Sequence, residues 1–154
     1  MKKPTLFVVT MLLLQLASVS SAEAQNSTAK RPTTSAKIQY GVASFYHNKF
    51  QGRKTATGEL FDQQKMTAAH NSVPLNTWVK VTSVRNGKWV VVRVNDRLHH
   101  RNPRLVDLSR TAAQKLGYVG KGITRVKVEV LGKKKPKDLL EEQDQVQAKT
   151  KSLN

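Results

Sequence analysis

The sequence predicts a mainly β protein, a small barrel carrying one or two short helices. Three observations carry that prediction. Apolar and polar residues alternate through Trp78–Val84 and again through Ile123–Leu131, the period of a half-buried strand. Asn86-Gly87 separates two apolar runs, a strong hairpin signal. A single convincing helical stretch, Thr111–Leu116, stands among these strands. Many short strands with one small helix in roughly 95 residues point to a compact β-barrel.

The chain opens with a segment of another kind. Lys2 and Lys3 precede an apolar run from Leu6 to Ala17, and Ala22-Glu23-Ala24 places small residues at the −3 and −1 positions of a cleavage site. Residues 1–24 therefore read as a secretory signal peptide. The run falls short of the roughly 20 residues that cross a bilayer, so no stable membrane anchor is expected. Its removal takes Lys2, Lys3 and Glu23 and lowers the formal charge from +17 to about +16. The chain has no cysteine. That excludes disulfides, a lipobox acyl anchor, thiol nucleophiles and thiolate metal sites. The expected product is exported, soluble and not lipidated.

Residues 25–38, rich in Ser, Thr and Ala, read as a flexible leader. Regular patterning then runs over 39–132. Tyr40–Tyr46 is β-prone. Thr55-Ala56-Thr57-Gly58-Glu59 and Thr67-Ala68-Ala69-His70 carry turn chemistry, each setting one ionisable group among small residues that let a substrate approach the backbone. Pro74-Leu75 leads onward, which puts His70 at a barrel rim. Trp78–Val84 and Trp89–Val94 form the hairpin, with a type I′ turn expected at Asn86-Gly87. Its return strand ends at Asn95-Asp96-Arg97, away from the turn. Leu105–Leu108 is a further short apolar piece. Ser109 can cap the helix that follows, and Gly117 sits where a left-handed residue stops it. Beyond Gly132, Lys133-Lys134-Lys135-Pro136-Lys137 breaks the pattern. Residues 133–154 form a charged tail in which a helix over Leu139–Ala148 lacks an apolar stripe for firm docking.

Five segments together carry a resemblance. Gly41-Val-Ala-Ser-Phe-Tyr46, Phe50-Gln-Gly-Arg-Lys-Thr-Ala-Thr-Gly-Glu59, Met66-Thr-Ala-Ala-His70, Val91-Val-Arg-Val-Asn-Asp-Arg97 and Val106-Asp-Leu-Ser109 closely resemble the rare lipoprotein A family. Its members are septal-ring lytic transglycosylases. The resemblance spans Tyr40–Leu131 and implies a six-stranded double-psi β-barrel. It implies cleavage of the bond between N-acetylmuramic acid and N-acetylglucosamine with formation of a 1,6-anhydro end. The family's motif residues match Glu59, His70 and Asp96, implied as catalytic, and Tyr46, Phe50, Arg53, Thr67, Asn95 and Arg97 are the expected substrate contacts. The sugar's own C6 hydroxyl is the nucleophile in such a reaction, so one carboxyl group, Asp96, can serve as acid and then as base. Glu59 is expected either as a second carboxylate near it or as an orienter of His70.

Some residues have plainer readings. Asp107 reads as a turn or helix-capping residue, and Tyr46, Phe50 and Phe61 serve a small core as readily as a sugar face. Two departures from the family pattern stand out. Leu98-His99 replaces the usual Gly-Pro after Asp96-Arg97, and His47 stands where glycine is common. The tail is too short for the SPOR domain that many members carry.

The expected partner is the glycan of peptidoglycan, in a Gram-negative periplasm, with a monomeric protein and no cofactor or metal. A metal site from His70, His99 and His100 is disfavoured, because adjacent histidines diverge on a strand. Nucleic acid is disfavoured because the basic residues are scattered and aromatics few. High positive charge also suits anionic wall or outer-membrane surfaces. The rival reading is an expansin-like module that binds glycan without cutting it.

Overall fold

The structure, a computed structural model, describes residues 37–152. The expected signal peptide and nearly all of the leader lie outside the described residues. Among the described residues six strands are present: β1 (Ile38–Phe45), β2 (Thr67–His70), β3 (Thr77–Ser83), β4 (Trp89–Asp96), β5 (Val106–Leu108) and β6 (Thr124–Gly132). They close into a barrel in the order β1-β5-β2-β4-β3-β6. The pairs β1/β5 and β2/β4 are parallel, and the others antiparallel. Helix α1 spans Arg110–Leu116 and helix α2 Lys137–Ser152.

Alternation explains the core. Val79 and Val81 of β3, Val90, Val92 and Val94 of β4, and Val126 and Val128 of β6 all point inward and are fully buried. Ala43, Ala68, Val106 and Leu108 complete the barrel interior, and Ala112, Ala113, Leu116 and Tyr118 join the same cluster. Ser109 caps α1 by accepting from the Ala112 N–H, and Gly117 ends it with φ 75°, as expected of a left-handed stop. Among the described residues, closure leaves no open sheet edge.

Three local expectations are revised. The hairpin turn is a four-residue loop, Val84–Gly87, closed by the Ser83 N–H to the Lys88 carbonyl (2.8 Å) and the Gly87 N–H to the Ser83 carbonyl (3.0 Å). Gly87 alone has positive φ there. Asn86 is occupied elsewhere, its Nδ2 donating to the Leu116 carbonyl at the end of α1 (3.0 Å). Second, Thr67–His70 is not a turn but the central strand β2, buried at all four residues between β4 and β5. A strand buried on both faces shows no alternation in its sequence, so its small residues resembled a turn.

Third, the tail helix is longer than Leu139–Ala148 and is docked through a polar residue. Gln143, 3% exposed, accepts the Val91 N–H at its Oε1 (2.6 Å). Pairing of β2 with β4 starts at Thr67↔Arg93, so Gln143 serves the Val91 amide beyond that point. Such a contact substitutes for the missing apolar stripe, because a buried N–H without a partner costs roughly 1–3 kcal/mol.

Candidate active site

Register places two carboxylates on one outward row. Ser44 of β1 pairs with Asp107 of β5, Asp107 with Ala69 of β2, and Ala69 with Asp96 of β4. Their neighbours Ala43, Val106, Ala68 and Val94 belong to the core, so this row faces away from it. By simple alternation Asp96 would share the inward side of Val94. A bulge prevents that: Ala68 pairs with Val94 but Ala69 with Asp96, leaving Asn95 as the extra residue. Bulges of this kind re-aim a side chain. Two strand spacings separate the Asp96 and Asp107 backbones by roughly 10 Å.

A groove of about 510 Å³ lies over this row, with both Asp96 and Asp107 in its wall. Asp96 is held rigidly. The Ala56 N–H (2.9 Å) and the N–H of the next residue, Arg97 (2.8 Å), donate to Oδ1, and the Tyr46 hydroxyl donates to Oδ2 (2.7 Å). The Thr57 N–H also donates to the Asn95 carbonyl (3.1 Å). Gly58, at φ 85°, makes the turn that brings this segment in, so its small residues let the backbone reach Asp96. A carboxylate offers about four acceptor positions. Among the described residues three are used, and one on Oδ2 remains for a ligand.

The aromatic residues form one wall. Tyr46 lies 5.7 Å edge-on from Phe50 and 4.2 Å from Phe61. Burial first, then the hydrogen bond to Asp96 and the charges of Asp96 and Asp107, pushes the Tyr46 hydroxyl well above the ordinary phenol range; it stays a proton donor to Asp96. Phe61 is only 3% exposed, which leaves Phe50 as the more open ring. Lys49 and Arg53 each approach the Phe50 ring, 5.4 Å from its centroid.

The other expected residues are placed less directly. Arg53 and Arg97 line the groove with Tyr46, Phe50 and Asp96. His70, Glu59, Thr67 and Asn95 do not. His70 is 1% exposed, and its Nδ1 accepts from the Ser72 and Val73 N–H groups (3.2 and 3.3 Å). That arrangement assigns its proton to Nε2. Burial first, then the charges of Arg97 and Lys37, lowers its pKa to about 4. Its carbonyl accepts from Arg97 Nη1 (2.6 Å). Glu59 is gripped by Arg93 through two hydrogen bonds, 2.9 and 2.7 Å, and accepts from Asn95 Nδ2 (3.4 Å). The Arg93 hydrogen bonds hold its carboxyl below the usual range. Glu59 thus braces Arg93 and Asn95 and makes no hydrogen bond with His70. Thr67 is 4% and Asn95 3% exposed, both packed in the sheet rather than open to a ligand.

Sequence reasoning missed Asp107 as a groove residue. Its carboxylate accepts the Ser44 hydroxyl at Oδ1 through a short hydrogen bond, and Arg104 Nε (3.0 Å) and Nη2 (3.3 Å). The signal lay in Val106-Asp107-Leu108, whose alternation points Asp107 away from the core. Leu98 and His99 also line the groove. The His99 and His100 rings stack at 4.3 Å, so they do not diverge: they lie in an irregular loop, not a strand. Among the described residues no three His, Cys, Asp or Glu side chains come together as a metal site would need. No helix there is long and apolar enough to cross a membrane.

Residues 38–128 match the family model described as lytic transglycolase. The chain is 50% identical over 91 residues to an endolytic peptidoglycan transglycosylase RlpA of Pasteurella multocida, covering 59% of this chain and 31% of that protein. It is 54% identical over 89 residues to one of the same name from Pseudomonas aeruginosa strain UCBPP-PA14, covering 58% and 26%. The chain therefore spans under a third of the length of these relatives. Among solved structures, an apo expansin of Clavibacter michiganensis is similar at a TM-score of 0.50 and 25% identity, covering 62% of this chain and 50% of that one.

Proposed function

The chain belongs to the lytic transglycolase family, and from that premise and the groove we infer that it is an endolytic peptidoglycan lytic transglycosylase. The observation that carries this reading is Asp96, fixed by three donors with one acceptor position of Oδ2 open to the groove. In the reaction its carboxyl group gives a proton to the departing O4 of N-acetylglucosamine as the C1–O4 bond breaks. The C6 hydroxyl of N-acetylmuramic acid closes on C1 and returns its proton to the same carboxylate. Atoms balance without water, and one end becomes a 1,6-anhydro sugar.

Roles for the remaining residues follow their positions. Tyr46, Phe50, Arg53 and Arg97 border the substrate. Glu59 acts through Arg93 and Asn95, and His70 through its backbone carbonyl, which holds Arg97, and its ring, which holds the Ser72 and Val73 amides, both as positioning residues. Such an enzyme works outside the cytoplasm, so export by a cleaved signal peptide belongs to the same proposal, and glycan is its partner.

The test is mass spectrometry of the products released from purified peptidoglycan by the protein and by Asp96→Asn. The expected outcome is anhydro-ended fragments from the former and at least about 100-fold fewer from the latter. Firm sedimentation with the wall and no fragments from either protein would favour the expansin-like binding module, to which the barrel is similar.

A further inference from the structure

The sequence offers two structural reasons for Asp107, a turn or a helix cap, and the structure fills neither. Ser109 caps α1 with its own side chain. Asp107 lies within strand β5 and takes no backbone N–H at its carboxylate among the described residues; its partners are the side chains of Ser44 and Arg104. Its side chain is 14% exposed and borders the same groove as Asp96. A charged group on a barrel strand is costly unless it is paired, and this one is paired through both oxygens with Arg104, which lines the same groove.

We propose that Asp107 is a second working carboxylate of the groove, a fixed anion that faces the sugar from β5 while Asp96 moves the proton from β4. The proposal rests on the transglycosylase reading above. Its basis is the row Ser44–Asp107–Ala69–Asp96, in which a residue no larger than alanine separates the two acids in register. The roughly 10 Å between their backbones leaves room for a sugar ring between the carboxylates. Tyr46 lines the same groove as both carboxylates, and the charges of both raise its hydroxyl pKa.

The chemistry divides accordingly. As the C1–O4 bond breaks, positive charge spreads over C1 and the ring oxygen. Ser44 and Arg104 fix the Asp107 carboxylate in place, with Arg104 offsetting part of its charge; Asp107 acts through the charge that remains, where Asp96 offers a proton. A preorganised charge aimed at developing charge is among the larger contributions to catalysis. The proton balance is unchanged: Asp96 gives one to O4 and takes one from the C6 hydroxyl, and Asp107 exchanges none.

The experiment compares the unaltered protein with Asp107→Asn and Ser44→Ala, reading anhydro-product rate, wall sedimentation and thermal unfolding. Asp107→Asn keeps the shape and removes the charge. It should lower turnover by about 100-fold or more while wall binding stays within about 2-fold. Ser44→Ala, which frees the carboxylate without discharging it, should lower turnover about 10-fold at unchanged KM. Should Asp107→Asn fail to fold, Ser44→Ala alone decides. Unaltered turnover in the folded variants, or turnover falling only in step with binding and melting temperature, overturns the proposal and leaves the transglycosylase reading standing. No anhydro product from the unaltered protein overturns that reading, and this role with it.

Discussion

At the scale of single residues, the site is a set of donors arranged around one carboxylate. Tyr46 is the donor most easily removed. Tyr46→Phe keeps the ring against Phe50 and Phe61 but deletes the 2.7 Å bond to Asp96 Oδ2. Its expected effect is about a 10-fold loss of anhydro-product rate, with thermal stability lowered by no more than about 1.5 kcal/mol. His70 makes a different prediction. Its folded pKa of about 4 lies below the ordinary histidine value near 6.5, so between these values the unfolded chain binds more protons than the folded one. Stability is therefore full above about pH 6.5 and falls as the pH drops toward 4, by roughly 3 kcal/mol at most. Urea titrations at several pH values should show this slope, and His70→Asn should flatten it. Asp96 was legible in the sequence as a groove residue because its motif is specific, whereas His70, expected at a rim, is buried at the end of β2 and lies outside the groove lining. The positions of Glu59, Thr67 and Asn95 were not legible either, since whether a polar residue faces a groove or an arginine depends on strand register.

At the scale of elements, alternation revealed β3, β4 and β6, and local capping revealed α1. The strand β2 escaped notice because it is buried on both faces, and the bulge at Asn95 because a one-residue shift leaves no mark in composition. Gly41 shows how closely the elements meet. A Cβ added there would lie 2.6 Å from the Leu105 Cβ, just before β5. Both atoms sit close to backbone, so Gly41→Ala must move β1 against β5. The expected cost is about 1–3 kcal/mol, readable as a lowered denaturation midpoint at unchanged slope. Some loss of activity should accompany it, because the row that carries Asp107 begins on β1.

At the scale of the whole molecule, closure of the barrel gives the groove its rigidity. The two carboxylates sit on β4 and β5, which both pair with β2, and neither shifts without disturbing a shared ladder. Fold class and family were readable because spaced motifs occur in order over most of residues 40–131. The placement of α2 was not readable, since it is held by contacts such as Gln143 to the Val91 amide and Lys115 to Asp144 and not by an apolar stripe. The Gln143 contact also turns a backbone proton into a clock. The Val91 amide is shielded by the Gln143 side chain, while the Val90 and Val92 amides belong to a strand paired with β3. In hydrogen–deuterium exchange, Val91 should therefore report how often α2 lifts away. In Gln143→Ala its exchange should quicken about 10-fold or more with its two neighbours unchanged, which would time the tail's departures separately from the opening of the barrel.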